Sequence, residues 1–98
     1  MAARLTLHWT PIAIGHLRAA HEYAAQENAP AANFLIERIF STVEHLALYP
    51  QMGRAGRVRG TRELVIAGTP YAISYRLHRS QIDVLAVFHA ARKWPEEF

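Results

Sequence analysis

The sequence predicts an α+β domain with the element order βααβββ, in which an antiparallel-rich curved sheet carries a two-helix hairpin on one face. The order of the apolar periodicities along the chain predicts this class. Apolar residues alternate near the start of the chain, recur at helical spacing through two consecutive segments, and then alternate again in three short runs. The 98 residues contain no repeat or low-complexity linker, so we expect a single domain over 1–98.

The first strand and the first helix are separated by one residue. In RLTLHW, Leu5, Leu7 and Trp9 alternate with polar residues, which is typical of a half-buried strand. Thr10 followed by Pro11 indicates a helix start, because a hydroxyl caps free backbone N–H groups and proline tolerates the first turn. The apolar stripe of this helix follows at helical spacing: Ala13, Leu17, Ala20 and Ala24.

The second helix has the clearest pattern in the sequence. Asn28 or Ala29 is placed to cap it, with Pro30 in its first turn, and Pro50 and Gly53 end it. Because about three residues join the two helices, we expect them to pack antiparallel as a hairpin. The stripe consists of Ala32, Leu35, Ile36, Ile39, Val43 and Leu46.

Three strands are predicted in the second half of the chain. An irregular basic segment, QMGRAGRVRG, precedes the short strand TRELVI, and a Gly-Thr-Pro turn precedes YAISYRLH. That strand places Tyr71, Ile73, Tyr75 and Leu77 on one face, so we expect the tyrosines to pack beneath the helices rather than stack on nucleic-acid bases. IDVLAVFH is apolar on both faces beyond Asp83, as an interior strand is.

Composition excludes several classes of protein. The hydrophobic fraction of 51% and mean hydropathy of −0.04 argue against disorder. No apolar run approaches the roughly 20 residues of a membrane span. Without cysteine there is no disulfide, Cys-ligated zinc or thiol nucleophile, and we expect a cytoplasmic protein. The net charge is +3, with the arginines concentrated after residue 50, which favours an acidic or nucleic-acid partner as much as a merely solvated basic loop.

Few chemistries suit these residues. The six histidines are scattered over several elements, so we expect no metal site and no cofactor. Asp83 is the only aspartate and no GxSxG motif occurs, which argues against a hydrolase triad. Metal-free RNA cleavage stays open, because it needs only an acid, a base and cations on the phosphate. Its candidate residues are Arg62, Arg76, His89 and Arg92.

Three blocks carry a resemblance to a known family: PQMGRAGRVRGTRELV, PYAISYR and VFHAARKWP. Together they resemble the ParE/RelE superfamily of bacterial toxin components, over nearly the whole chain from TPIAIGHL to ARKWP. The resemblance implies a small sheet with a two-helix hairpin. It also implies a toxin that an antitoxin encoded beside it neutralises in a hetero-oligomeric complex, away from membranes.

The resemblance implies two different targets. ParE-like members poison DNA gyrase, whereas RelE-like members cut mRNA in the ribosomal A site. RelE-like nucleases typically read Tyr-Arg-Leu-Val-Tyr in the third strand, with the arginine on the scissile phosphate, and here Ala72 takes that arginine's place. Arg92 aligns with a second family arginine, and His89 lies near a histidine that some members use. Losing one phosphate ligand lowers the stabilisation of the transition state by a few kcal/mol unless Arg62 or Arg76 substitutes for it. The ParE-like function is therefore favoured. A RelE-like nuclease and a non-toxic antitoxin-binding module are the alternatives.

Two binding surfaces follow as expectations. The antitoxin, ParD-like or another small DNA-binding protein, should lay apolar anchors into a groove lined by Ile12, Ile14, Tyr23 and Phe34. An alternative role for the chain's last residues is structural, with Trp94 and Pro95 covering the sheet end and Arg92 paired with Glu63. The candidate target surface consists of Arg57, Arg59, Arg62, His89, Arg92, Lys93 and Trp94.

Overall fold

The computed structural model describes residues 4–91 and confirms the predicted α+β class. Two helices follow the first strand and four strands follow the helices. One of these, with only two residues, lies in the basic segment for which no strand was predicted. The elements are β1 (Thr6–Trp9), α1 (Pro11–Ala25), α2 (Ala29–Leu48), β2 (Arg54–Ala55), β3 (Arg62–Val65), β4 (Tyr71–His78) and β5 (Gln81–His89).

The five strands form one mixed sheet in the order β1-β5-β4-β3-β2. The neighbours β2 to β5 pair antiparallel, whereas β1 pairs parallel with β5, with Thr6 opposite Gln81 and Trp9 opposite Val84. β5 is therefore an interior strand, as its apolar sequence predicts. The helical hairpin forms the crossover from β1 at one edge of the sheet to β2 at the other.

Both helices begin at side-chain caps. The Thr10 hydroxyl accepts a hydrogen bond from the Ala13 N–H at 3.2 Å and donates one to the Val84 carbonyl at 2.9 Å, which ties the start of α1 to β5. Asn28, one of the two predicted caps of α2, accepts from the Ala31 N–H at 2.7 Å. Prolines occupy the first turn of each helix, where no backbone N–H is required.

The main core lies between the hairpin and one face of the sheet. Tyr71, Ile73 and Tyr75 of β4 are buried there, as the alternation predicts. Leu77 is 42% exposed instead, because it lies beyond the end of β3, whose first residue pairs with Tyr75. Residues of the two helical stripes form the other side of this core: Ala13, Ala20, Leu35, Ile39, Val43 and Leu46.

A β-bulge in β5 changes which side chains face the hairpin. Ser74 pairs with Ala86 but Tyr75 pairs with Val84, so Leu85 has no partner in β4. Val84 and Val87 consequently both enter the main core, although they are three residues apart. The backbone N–H of Val87 donates to Nδ1 of His16 on α1 at 3.2 Å, so the bulge is also tied to the hairpin.

Within residues 4–91, neither helix is both long enough and apolar enough to cross a membrane.

Candidate functional site

The sheet face opposite the hairpin, here called the open face, is built from cross-strand rows of different character. Val65, Ala72 and Phe88 form an apolar row across β3, β4 and β5. The next row carries Glu63, Ser74 and Ala86, with Arg54 of β2 opposite Glu63. Farther along the strands, Arg76 lies opposite Asp83 and Asp83 opposite His8. The open face thus changes from apolar at one end to charged at the other.

The apolar row and its neighbours line a cleft of about 300 Å³, here called the open-face cleft. Ala72 and Phe88 belong to a small buried cluster at its floor, while the Val65 side chain is 59% exposed. The Arg57 guanidinium lies over the Phe88 ring, 5.5 Å from its centroid. The lining therefore combines apolar side chains with the two arginines Arg54 and Arg57.

A buried carboxylate neutralises part of that positive charge. Glu63 is only 5% exposed and accepts from the Arg57 backbone N–H at 2.9 Å and from its side chain at 3.1 and 3.2 Å. Burial alone would raise the pKa of Glu63, but the hydrogen bonds and positive charge of Arg57, with a smaller effect of Arg54, lower it below its ordinary value. Glu63 is therefore ionised at neutral pH, and its partner in the structure is Arg57.

A second buried carboxylate organises the charged row. Asp83 accepts from the Gln81 amide at 2.7 Å, from Arg76 at 3.1 Å, and its other contact is His8 Nδ1 at 3.2 Å. The Gln81 hydrogen bond contributes most to lowering the pKa of Asp83, and the contacts with Arg76 and His8 also lower it despite burial. Arg76 is thus already committed to an ion pair on the open face.

The residues proposed for RNA cleavage do not meet. Arg76 points to the open face, whereas Arg62 pairs with Tyr75 on the hairpin side and donates to the Gly53 carbonyl at 2.6 Å. His89 lies opposite Tyr71, five residues along β4 from Arg76, which is about 17 Å of extended strand. His89 is therefore not beside Arg76 in the sheet. The fourth candidate, Arg92, lies outside the described residues.

A second cleft, here called the hairpin-tip cleft, lies where the turn between α1 and α2 meets the turn between β3 and β4. Its volume is about 310 Å³. Tyr23 of α1 and Phe34 of α2 are 46% and 51% exposed there, and the rings of Tyr71 and His89 pack edge to face at 5.5 Å. Gly68 completes the wall with φ +81°, a conformation that glycine adopts readily.

The four residues predicted to bind the antitoxin divide between two places. Tyr23 and Phe34 meet in the hairpin-tip cleft. Ile12 is half-buried and lies eleven residues, or about three turns, before Tyr23 on the same flank of α1. Ile14 is nine residues before Tyr23, which puts it on the opposite flank of an ideal helix. Two of the four candidates therefore line the hairpin-tip cleft, Tyr23 and Phe34, and Ile12 lies in line with them on α1.

The residues predicted to contact the target are also distributed. Arg57 lines the open-face cleft, Arg59 is exposed in the loop between β2 and β3, and His89 lines the hairpin-tip cleft. Arg62 is half-buried and holds the loop that follows α2. The remaining candidates, Arg92, Lys93 and Trp94, lie outside the described residues, as does Pro95.

Sequence reasoning did not identify Glu63 and Phe88 as part of a cleft. The available signal was a lone glutamate inside an otherwise apolar strand, TRELVI, close to several arginines. An acid in that position needs a buried partner, but the pattern does not say which arginine supplies it. No group of three or more metal-ligating side chains occurs in the described part of the chain.

Comparison with known proteins identifies the family. The family model of the ParE toxin of type II toxin-antitoxin system parDE matches residues 7–94. The predicted toxin Y4kP of Sinorhizobium fredii (strain NBRC 101917 / NGR234) is 39% identical over 94 residues, which cover 96% of this chain and 97% of that protein. Toxin RelE2 of Caulobacter vibrioides is 33% identical over 84 residues, covering 86% and 93% of the two chains.

A solved structure of the chromosomal ParDE TA system from P. aeruginosa has the same fold. It matches with a TM-score of 0.79 at 24% identity, over 88% of this chain and 96% of that chain. The fold, the family match over most of the length and the two toxin relatives agree with one another. The chain belongs to the ParE toxin family of type II toxin-antitoxin systems, within the ParE/RelE superfamily.

Proposed function

We propose that this toxin arrests bacterial growth by binding DNA gyrase in the cytoplasm, without catalysis of its own. We further propose that a ParD-like or other small DNA-binding antitoxin neutralises it in a hetero-oligomeric complex. The observation that carries the first part is the separation of Arg76 and His89 by about 17 Å on opposite faces of the sheet. A nuclease needs its proton donor or acceptor within hydrogen-bond reach of the reacting atoms, beside the cations that stabilise the phosphate.

The open-face cleft supports the same proposal. Ala72 lies on its floor, where an arginine would have offered a cation to a phosphate. The buried Glu63 carboxylate beside it pairs with Arg57, which leaves that guanidinium less available to a phosphate. A cleft with an apolar floor and paired charges suits contact with a protein surface. Our candidates for the gyrase contact are Arg57 of this cleft, Arg59 of the loop between β2 and β3, Arg62 and His89, with Arg92, Lys93 and Trp94.

The antitoxin is proposed to bind along the flank of α1 that ends in the hairpin-tip cleft. Ile12, Tyr23 and Phe34 are the anchors, and the half-exposed rings of Tyr23 and Phe34 are the apolar surface that a partner would cover. An amphipathic helix that lies on α1 would reach all three. Ile14 is the least suitable of the original candidates, because it lies on the other flank of α1.

Tightly induced expression without antitoxin tests the target. We expect thymidine incorporation to fail before methionine incorporation, and we expect purified toxin to inhibit gyrase supercoiling. Arg76→Ala should keep this activity, because Arg76 has no role in the proposed contact. Because Arg76→Ala also removes the ion pair with Asp83, thermal melting checks separately that this variant is folded. Protein synthesis failing first would overturn the proposal, and so would growth at the normal rate despite soluble expression.

One observation favours a RelE-like nuclease as the second candidate, namely the 33% identity to a relative named Toxin RelE2. In that case Arg62, Arg76, His89 and Arg92 would be the residues to replace. Cleavage of mRNA by purified toxin on programmed ribosomes, lost on replacing His89 or Arg92 with alanine, would establish it. A toxin that binds antitoxin but neither gyrase nor ribosomes would instead be a non-toxic binding module.

A further inference from the structure

We propose that the hairpin-tip cleft receives a basic side chain, arginine or lysine, of the bound antitoxin. The inference deepens the proposed function and rests on it, since it names the chemistry of one anchor in the antitoxin contact. The cleft collects ring systems from four elements: Tyr23 on α1, Phe34 on α2, Tyr71 on β4 and His89 on β5. Aromatic faces attract cations through their quadrupole as well as packing against aliphatic groups.

The charge of the cleft also favours a basic side chain. Glu27 is the one lining residue with a formal charge at neutral pH among residues 4–91, and no arginine or lysine of that range lines the cleft. Within the same range, Glu27 is exposed and forms no ion pair. A chain with net charge +3 thus presents an acidic, aromatic cleft at one end and an arginine-lined cleft on its open face.

A basic side chain suits both the aromatic rings and the Glu27 carboxylate of the cleft. A purely apolar side chain suits only the rings. The methylene stem of arginine or lysine packs on Tyr23 and Phe34, and its charged head stays at the rim beside Glu27. An apolar anchor would cover the same rings but would remove water from the Glu27 carboxylate without replacing it. The volume of about 310 Å³ is small for a ligand pocket, which suits one long side chain.

The first test uses small probes on the purified 98-residue toxin. N-acetyl-arginine amide and N-acetyl-norleucine amide are titrated while NMR follows the ring signals of Tyr23 and Phe34. We expect the arginine amide to bind more tightly, and Glu27→Gln to weaken its binding by about three-fold, as for an exposed ion pair. Glu22→Gln is the matched control, because Glu22 is exposed near the end of α1 but does not line the cleft. Equal binding of both amides, or no effect of Glu27→Gln, overturns the inference.

The second test uses the antitoxin encoded beside the toxin gene and separates this inference from the proposed function. We expect Phe34→Lys to abolish antitoxin binding, because it removes an aromatic ring and repels a basic anchor, Glu27→Gln to weaken it by about three-fold, and Glu22→Gln to leave it unchanged. Loss with Phe34→Lys but no change with Glu27→Gln would overturn the basic anchor and keep the antitoxin site. Undiminished binding by Phe34→Lys would overturn both the basic anchor and the antitoxin site. Circular dichroism spectra and melting temperatures like the wild type show that each variant is folded.

Discussion

At the scale of single residues, the open face depends on acids that are buried beside arginines. Glu63 receives three hydrogen bonds from Arg57, and Asp83 receives them from Gln81 and Arg76. Because hydrogen bonds to a charged group are stronger than neutral ones, Glu63 positions Arg57 at the open-face cleft and Asp83 positions Arg76 at the charged end of the face. The function of Glu63 is therefore both to stabilise the sheet and to keep part of the cleft neutral.

We predict that Glu63→Gln lowers the free energy of unfolding by about 2 kcal/mol, since it removes charge-assisted hydrogen bonds to a buried group. Urea denaturation measures the loss. Glu37→Gln is the control, because Glu37 is exposed on α2 and its replacement should change stability by less than about 0.5 kcal/mol. Equal stability of the two variants would show that the Arg57–Glu63 pair contributes nothing net.

The Tyr75 hydroxyl connects β4 to the loop that follows α2. It accepts from the Gly53 N–H and donates to the Pro50 carbonyl, each at 2.8 Å. Gly53 has no room for a side chain here, since an added Cβ would lie 2.6 Å from that hydroxyl. Burial raises the pKa of Tyr75 above its ordinary value despite the Gly53 hydrogen bond and the charge of Arg62, so the phenol keeps the proton that it donates.

Tyr75→Phe should therefore destabilise the fold by about 1–3 kcal/mol, because the Gly53 N–H is left buried without an acceptor. The expected readout is a lower melting temperature. Tyr49→Phe removes a hydroxyl from a side chain that is 60% exposed and serves as the comparison. If both variants have the melting temperature of the wild type, the hydrogen bonds of the Tyr75 hydroxyl do not stabilise the loop.

At the scale of elements, the two helix caps have different consequences. Thr10 caps α1 and also hydrogen-bonds to Val84, whereas Asn28 caps α2 at an exposed turn. We predict that Asn28→Ala costs about 1 kcal/mol and that Thr10→Ala costs more, because it also removes the link to β5. Thermal denaturation ranks the two variants. The reverse order would mean that the link between α1 and β5 is not significant for stability.

The helices and strands show which structural features sequence patterns can predict. Both helices, their capping residues and the burial of Tyr71 and Tyr75 follow from local chemistry, so they were predictable. The bulge at Leu85 and the exposure of Leu77 were not, because both depend on which strand lies alongside and where that strand ends. Strand β2 is only two residues long, too short for alternation to appear.

The clefts were less predictable than the fold, for the same reason. Tyr23 and Phe34 meet because two antiparallel helices bring them together, which the hairpin pattern permits but does not require. His89 joins them only through its pairing with Tyr71 in the sheet. Likewise, the partner of Glu63 is six residues away in the chain, across a loop whose course no periodicity describes.

At the scale of the whole molecule, the two buried acids make stability depend on pH. Both have a pKa in the folded protein below the ordinary values of 4.5 for Glu63 and 3.8 for Asp83. The unfolded chain therefore binds protons that the folded chain does not as the pH falls through this range. Their contribution is fully present well above pH 4.5 and is lost as the pH falls through the folded values.

We predict that the free energy of unfolding falls between about pH 5 and pH 3, and that the double variant Glu63→Gln/Asp83→Asn shows a shallower fall. Urea denaturation at a series of pH values measures both curves. Glu22→Gln/Glu37→Gln, with two exposed acids replaced, should keep the steep dependence. Parallel curves for all three proteins would place the acid sensitivity in other groups.

The pairing of β1 with β5 has a consequence for how the protein is made. Thr6 finds its partner only at Gln81, 75 residues later, so this part of the sheet cannot form until almost the whole described chain has left the ribosome. Contacts so distant in sequence also slow folding. A nascent chain released early would lack β5, the strand between β1 and β4, and with it Phe88 of the open-face cleft and His89 of the hairpin-tip cleft. Synthesis itself thus delays the appearance of a toxin that can bind either its target or its antitoxin.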